Sequence, residues 1–306
     1  MSLPAPAGPR PMPNEIRRIL LPLNCGQIIE PALDVGLRLA RAFHAHLAAV
    51  LIGDDPTETA TLAGEGLSGA MINDMIVNAE HEAQRRLLQT RLAFNQFLAT
   101  HDIAWTGQDP SPATAEDARV TTSLDVLSDS RLEQITWLAR LSDLTLIPHL
   151  DSGDDPRASE TLHAALFDSG RPVIIAPPAI PETLGRRICI AWNGTAEAAV
   201  ALRAILPCAR QAEAVSVLCS PDYQRRGPEG EKAVEYLARH GVNATLLRFT
   251  PQDCSVGVAL LGACADFGAD MLAMGAYSHS RLRQMILGGV TRHVLEHAPL
   301  TVMMTR

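Results

Sequence analysis

The sequence is short of several things at once, and each shortage removes a class of function. Lysine is almost missing: of 26 basic residues only Lys232 is lysine, and against 34 acidic residues the net charge is −8. A phosphate backbone is held by clustered Lys and Arg, so nucleic acid is not an expected partner, and any polyanion must meet a local basic patch. Aromatic residues make up 4% of the chain; Trp105, Trp137 and Trp192 read as core or interface anchors rather than a stacking platform. The six cysteines (Cys25, Cys189, Cys208, Cys219, Cys254, Cys264) contain no CxxC pair and no zinc-like spacing, which fits a reducing cytoplasm. No run approaches the roughly 18 to 20 apolar residues of a membrane span. Gly-x-Ser-x-Gly, the Walker A lysine motif and His-Glu-x-x-His are all missing, so a nucleophilic or zinc hydrolase has no support.

What is present is a globular composition, 47% hydrophobic and 20% charged, in 306 residues, enough for two domains. Residues 1–14 open MSLPAPAGPRPMPN and read as a disordered leader rather than a targeting segment. The organising signal is a repeat. Arg17-Arg18-Ile19-Leu20-Leu21-Pro22-Leu23-Asn24 is matched about 169 residues on by Arg186-Arg187-Ile188-Cys189-Ile190-Ala191-Trp192-Asn193, each an apolar strand ending at Asn. That period is too long for a solenoid and right for a duplicated domain.

In the second copy, strands at 186–192, 214–219, 243–249, 270–274 and 300–305 alternate with helices at 196–211, 229–240, 254–267 and 287–297. Buried strands separated by helices predict a doubly wound α/β domain on a parallel sheet. The first copy has strands at 16–22, 47–52, 103–106, 143–148 and 172–176, with helices at 29–43, 70–99, 130–141 and 158–168; residues 107–129 read as a loop. Pro177-Pro178-Ala179-Ile180-Pro181 disfavours helix and central strand, which sets domains at 15–177 and 183–306.

Ligands of such sheets sit at the carboxyl ends of the strands, so the turns after the first and fourth strands carry the information. After the fourth strand of the second copy, Gly275 permits a sharp turn and close approach. Gly288-Gly289 opens a helix whose unpaired N–H groups suit an anion, and Thr291 adds a hydroxyl. Residues 275–293 hold Arg281, Arg283 and Arg292 and no carboxylate. The plainer alternative is that the glycines only stop one helix and start another.

Gly275, two residues, Ser278, nine residues, then Gly288-Gly289-Val290 resembles the nucleotide motif of the universal stress protein family, Gly-x2-Gly-x9-Gly-(Ser/Thr), and residues 292–302 resemble that family's last helix and strand. The resemblance extends over nearly everything after residue 15. It implies two Rossmann-like domains in tandem, an adenine nucleotide (ATP, ADP or AMP) in the second, and an intramolecular pseudo-dimer joined through the last strands, Val173-Ile174-Ile175 and Val302-Met303-Met304; a further homodimer is compatible with it. The implied site is Asn193, Gly194, Thr195, Cys219, Gly275, Ser278, Arg281, Gly288, Gly289, Val290 and Thr291. Three departures bear on affinity. Ser278 stands for a glycine, Gly289 for a phosphate-binding hydroxyl, and Asn193 for the usual Asp, which weakens the case for Mg2+. Thr195 reads equally as a helix N-cap, and the Cys219 thiol as packing.

In the first copy Pro148 stands where Gly275 stands in the second, and Asp151, Asp154 and Asp155 follow, so at most one site per chain is expected. The role implied is stress-response nucleotide binding in the cytoplasm with no assignable general base; the alternative is a nucleotide-free interaction module. The pairs His44/His46 and His293/His297 lack a third ligand, so no metal site is expected.

Overall fold

The computed structural model describes residues 16–53, 69–101, 103–105, 120–127, 132–150, 156–221, 224, 227–251, 255–276 and 289–306. The expected leader lies outside these residues, as do the segment 64–68 before the long helix, the three aspartates of 151–155 and the stretch 277–288.

In the first half β1 (Arg18–Asn24), α1 (Glu30–Phe43) and β2 (His46–Ile52) are followed by α2 (Gly69–His101), β3 (Ala104–Trp105) and β4 (Thr121–Leu127). Then come α3 (Leu132–Arg140), β5 (Leu144–Ile147), α4 (Pro156–Asp168) and β6 (Val173–Ile175). The second half runs β7 (Arg187–Ala191), α5 (Ala196–Ala204), α6 (Leu206–Ala209), β8 (Ala214–Cys219), α7 (Gly230–Arg239), β9 (Ala244–Arg248), α8 (Val256–Phe267), β10 (Met271–Gly275), α9 (Gly289–His297) and β11 (Thr301–Thr305). Two expectations need correcting. The stretch 107–129 is not all loop: Thr121–Leu127 is a strand parallel to β2, and it takes the place that β9 takes beside β8. Its β-branched residues suit a pleated surface, and the polar composition of the flanking segment hid them. Helix 196–211 is broken at Ile205, because Pro207 has no N–H to continue the ladder.

All strands form one sheet in the order β3-β4-β2-β1-β5-β6-β11-β10-β7-β8-β9. Pairs within each half are parallel. The halves meet where β6 and β11 run antiparallel, with Val302 opposite Ile175, Met303 opposite Ile174 and Met304 opposite Val173. These are the residues named for the seam, and all six are buried. The duplication shows in detail at the amino ends of the strands. Asp143 Oδ2 accepts the backbone N–H groups of Arg17 and Arg18 at 2.7 and 2.9 Å, and Asp270 accepts those of Arg186 and Arg187 at 3.0 and 3.1 Å.

Side-chain alternation divides the second half into two cores. Ile188, Ile190 and Trp192 face the layer holding Leu202, Leu206 and Leu237, whereas Cys189 and Ala191 face Leu260, Cys264 and Val294. A parallel sheet buried on both faces leaves its strand ends as the place where polar backbone meets solvent.

Candidate functional site

In the second half the chain leaves β7 toward one edge of the sheet and reaches β10 on the other side, so β7 and β10 flank the switch point. Register places Ala273 beside Ile190, and continuing it brings Ala276 level with Asn193; on the other flank Ala191 pairs with Leu218, bringing Ser220 level with Asn193. By alternation Asn193, Ser220 and Ala276 share the face covered by α8 and α9.

The turn after β7 is internally braced. Asn193, nearly buried, accepts through Oδ1 from Thr195 N at 3.2 Å and from Thr195 Oγ1 at 2.9 Å. Thr195 Oγ1 in turn accepts from Ala198 N at 3.3 Å, capping α5. Gly194 has φ +79°, and a Cβ there would meet Gln224 Nε2 at 2.8 Å and Gly227 at 3.2 Å. The segment after β8 therefore folds directly onto this turn. Trp192 Nε1 fixes it by donating to Pro228 O at 2.8 Å.

Cys219 ends β8 with its side chain against Gly230, where a Cβ would collide with Sγ, and its carbonyl accepts from Phe249 N at 2.9 Å. Burial pushes its thiol up to about 11, the nearby Arg248 guanidinium opposing. Burial likewise holds Cys208 up at about 12. Such thiols are packing groups rather than nucleophiles. Sequence reasoning missed the next residue: Ser220 is 1% exposed and its Oγ has no hydrogen-bond partner among the described residues. No sequence signal marks it, since a lone serine after a strand reads as a turn residue.

Across the switch point Gly275 has a packing reason of its own. A Cβ there would lie 2.6 Å from Ala198 N and from Glu197 C, so only glycine lets the end of β10 pass under the first turn of α5. Thr305 Oγ1 ties the same turn to β11 by donating to Glu197 O at 3.0 Å. Gly289 is the opposite case, because a Cβ there would meet nothing within 4 Å among the described residues. It is the first residue of α9, whose opening amides have no partner within the helix and whose first turn holds no acidic residue. Val290 and Thr291 follow, Thr291 buried. Ser278, Arg281 and Gly288 lie outside the described residues. Arg292 turns away to pair with Glu296 at 2.8 Å, and His293 and His297 stack at 4.3 Å. Gly257 of α8 packs against the His293 ring. Among the described residues no three His, Cys, Asp or Glu gather to hold a metal.

The mouth of the first half is built differently. Ile19 pairs with Leu144 as Ile188 pairs with Met271, which puts Pro148 in the position of Gly275 and Asn24 in that of Asn193. Asn24 engages Gln27 Oε1 at 3.4 Å, and Thr161 of α4 donates toward Asn24 Oδ1 at 3.5 Å. Arg86 of α2 lies over Gly26, its Cδ 3.9 Å from where a Cβ would stand. Side chains thus occupy this end of the sheet. Farther along, His46 bridges β2 to β4, its ring nitrogens 2.9 Å from Thr121 Oγ1 and Ser123 Oγ.

Comparison with known proteins follows the same division. A model of the universal stress protein family matches residues 185–306. That half of the chain is a universal stress protein domain. Similar solved structures extend the fold across both halves. One, a universal stress protein from Archaeoglobus fulgidus DSM 4304, is 14% identical, with a TM-score of 0.59 over 94% of this chain and 96% of that one. Another, a functionally unknown protein from Pseudomonas aeruginosa PAO1, is 15% identical, with a TM-score of 0.53 over 95% and 93%. At these identities they establish architecture alone. No curated protein matches the chain. Among the described residues, no helix is long and apolar enough to cross a membrane.

Proposed function

We propose that the universal stress protein domain, residues 183–306, binds an adenine nucleotide at the switch point between β7 and β10, and that the first half, residues 15–177, serves as its structural or regulatory partner. The observation that carries the reading is the opening of α9. Among the described residues nothing stands within 4 Å of a Cβ added at Gly289, while Gly275 is packed solid, so on those residues the second glycine position answers no packing demand, and the amino end of a helix suits a phosphate. Thr291 and the buried hydroxyl of Ser220 supply further polar groups on that side. The family resemblance supplies the ligand class, ATP, ADP or AMP.

Asn193 is neutral and its Oδ1 already accepts two hydrogen bonds, so it brings no charge to a cation. Mg2+, if carried, would come with the phosphates. Among the described residues of the site none is positioned as a general base, and the role proposed is regulatory binding in a cytoplasmic stress response. A nucleotide-free interaction module is the second reading; it draws on Asn193 and Thr195 being consumed in capping α5. Calorimetric titration with ATP, ADP and AMP, with mass spectrometry of any nucleotide that copurifies, separates the two. Saturable binding of one nucleotide per chain supports the first reading. No heat and no thermal stabilisation at millimolar ligand supports the second.

A further inference from the structure

We propose that Ser220 is a specificity-determining residue: its hydroxyl hydrogen-bonds the nucleoside part of the ligand, so that the site takes a nucleoside polyphosphate in preference to a bare polyphosphate. The inference rests on the reading of the switch point as a nucleotide site and adds to it a residue and a selectivity. It starts from an unmet demand. Ser220 is 1% exposed, and its Oγ has no hydrogen-bond partner among the described residues. Buried hydroxyls are nearly always answered, and those nearby follow the rule. Ser216 Oγ, in the same strand, donates to Thr245 O at 3.4 Å, Thr305 Oγ1 to Glu197 O at 3.0 Å and Thr195 Oγ1 to Asn193 Oδ1 at 2.9 Å. The turn itself asks for no serine, because Ser220 meets Gln224 N through its main-chain oxygen, at 2.8 Å, and any residue supplies that. Thr145 and Thr301 also lack a hydroxyl partner among the described residues, but they lie within β5 and β11, whereas Ser220 stands just past the last residue of β8, at the mouth. An unanswered hydroxyl there costs stability in the unliganded fold and is answered only if a ligand reaches it.

Its place says which part of the ligand it meets. Ser220 is level with Asn193, and Asn193 with Ala276, so Ser220 lies two strands from the end of β10. At about 4.8 Å per strand that is about 10 Å, roughly the reach of a nucleoside. β10 leads to α9, whose opening amides are the proposed phosphate grip, so the hydroxyl stands across the mouth from the phosphates. By alternation it shares the sheet face covered by α8 and α9, so hydroxyl and amides border the same side of the sheet. Cys219, one residue earlier, points to the other face, where its thiol packs against Gly230. A hydroxyl both donates and accepts, which suits a ribose hydroxyl or the edge of a base, and it brings no charge to a phosphate. Because Ser220 is covered in the unliganded fold, a ligand reaches it by parting that cover.

The test is calorimetric titration of the full chain, unaltered and as Ser220→Ala, with ATP and separately with inorganic tripolyphosphate, alongside thermal melts of both proteins without ligand. The unaltered chain is expected to bind ATP more tightly than tripolyphosphate. Ser220→Ala is expected to lose about tenfold in affinity for ATP and none for tripolyphosphate, with an unliganded melting temperature no lower than that of the unaltered chain. That combination separates recognition from a structural role, which would lower the melting temperature and weaken both ligands together. Equal ATP affinity in the two proteins overturns the inference and leaves the nucleotide site standing. Parallel loss of ATP and tripolyphosphate with a lowered melting temperature overturns it in the same way. No binding of ATP to the unaltered chain overturns the nucleotide reading and this inference with it.

Discussion

The two mouths of this tandem sheet begin from the same turn and end as different devices. Both first strands close on an asparagine, and both receive an aspartate onto their opening amides, Asp143 in one half and Asp270 in the other. In the first half Thr161, Gln27 and the overlying Arg86 then gather at the strand end, and proline replaces the glycine that lets β10 pass under a helix. In the second half the asparagine turns inward to brace its own turn, and among the described residues no side chain stands over the first residue of the last helix. Duplication preserved the frame, since β-sheet register and core packing tolerate little change. The strand ends answered to different demands.

Substitutions in matched positions sharpen this contrast. The largest effect is expected at Gly275→Ala, where the new Cβ meets backbone of α5; chemical denaturation should show a loss of about 3 kcal/mol, while Pro148→Gly in the equivalent position should change stability by about 1 kcal/mol or less. Next comes acid sensitivity of the first half. Burial and the neighbouring Arg18 hold His46 at about 4, below its ordinary 6.5, so the folded state keeps it neutral where the unfolded chain takes up a proton. The stability that His46 contributes is therefore complete above about pH 6.5 and drains away as pH falls toward 4. Thermal melts over that range should flatten in His46→Gln. Removing a partner of this histidine, Ser123→Ala, should cost about 1 to 2 kcal/mol at pH 7. Thr195→Ala, which removes the cap of α5, should cost about 1 kcal/mol. Smallest is Ser220→Ala. Its hydroxyl bonds nothing among the described residues, so the unliganded protein should lose no stability and gain as much as about 1 kcal/mol. A clear loss there would mean that the hydroxyl is satisfied in solution.

The frame was legible because it is written in local signals. The Arg-Arg-apolar-Asn repeat announced the duplication and continuous apolar strands announced a parallel sheet; the seam between the last strands of each half was named only through the family resemblance. β4 was not legible, because Thr121 to Leu127 follows a Pro-, Ser- and Asp-rich segment and its pairing with β2 is set by a strand 75 residues earlier. The site was legible only as a set of positions. Sequence could propose Thr195 as a cap, but not that Asn193 spends its oxygen on the same turn. Nor could it show that Gly275 and Gly289 have different reasons to be glycine, because the difference lies in what stands beside each. Ser220 had no signal at all, since the absence of a partner is a property of the packed molecule.

The most direct test is calorimetric titration of ATP into Gly289→Asp alongside the unaltered chain. The substitution meets nothing within 4 Å among the described residues and places an acid at a helix amino end, where it suits the helix, so the fold should hold or gain slightly in melting temperature. Binding of a polyphosphate to the same amides should disappear. Retention of the original affinity in a well-folded Gly289→Asp protein would contradict the assignment of α9 as the phosphate grip.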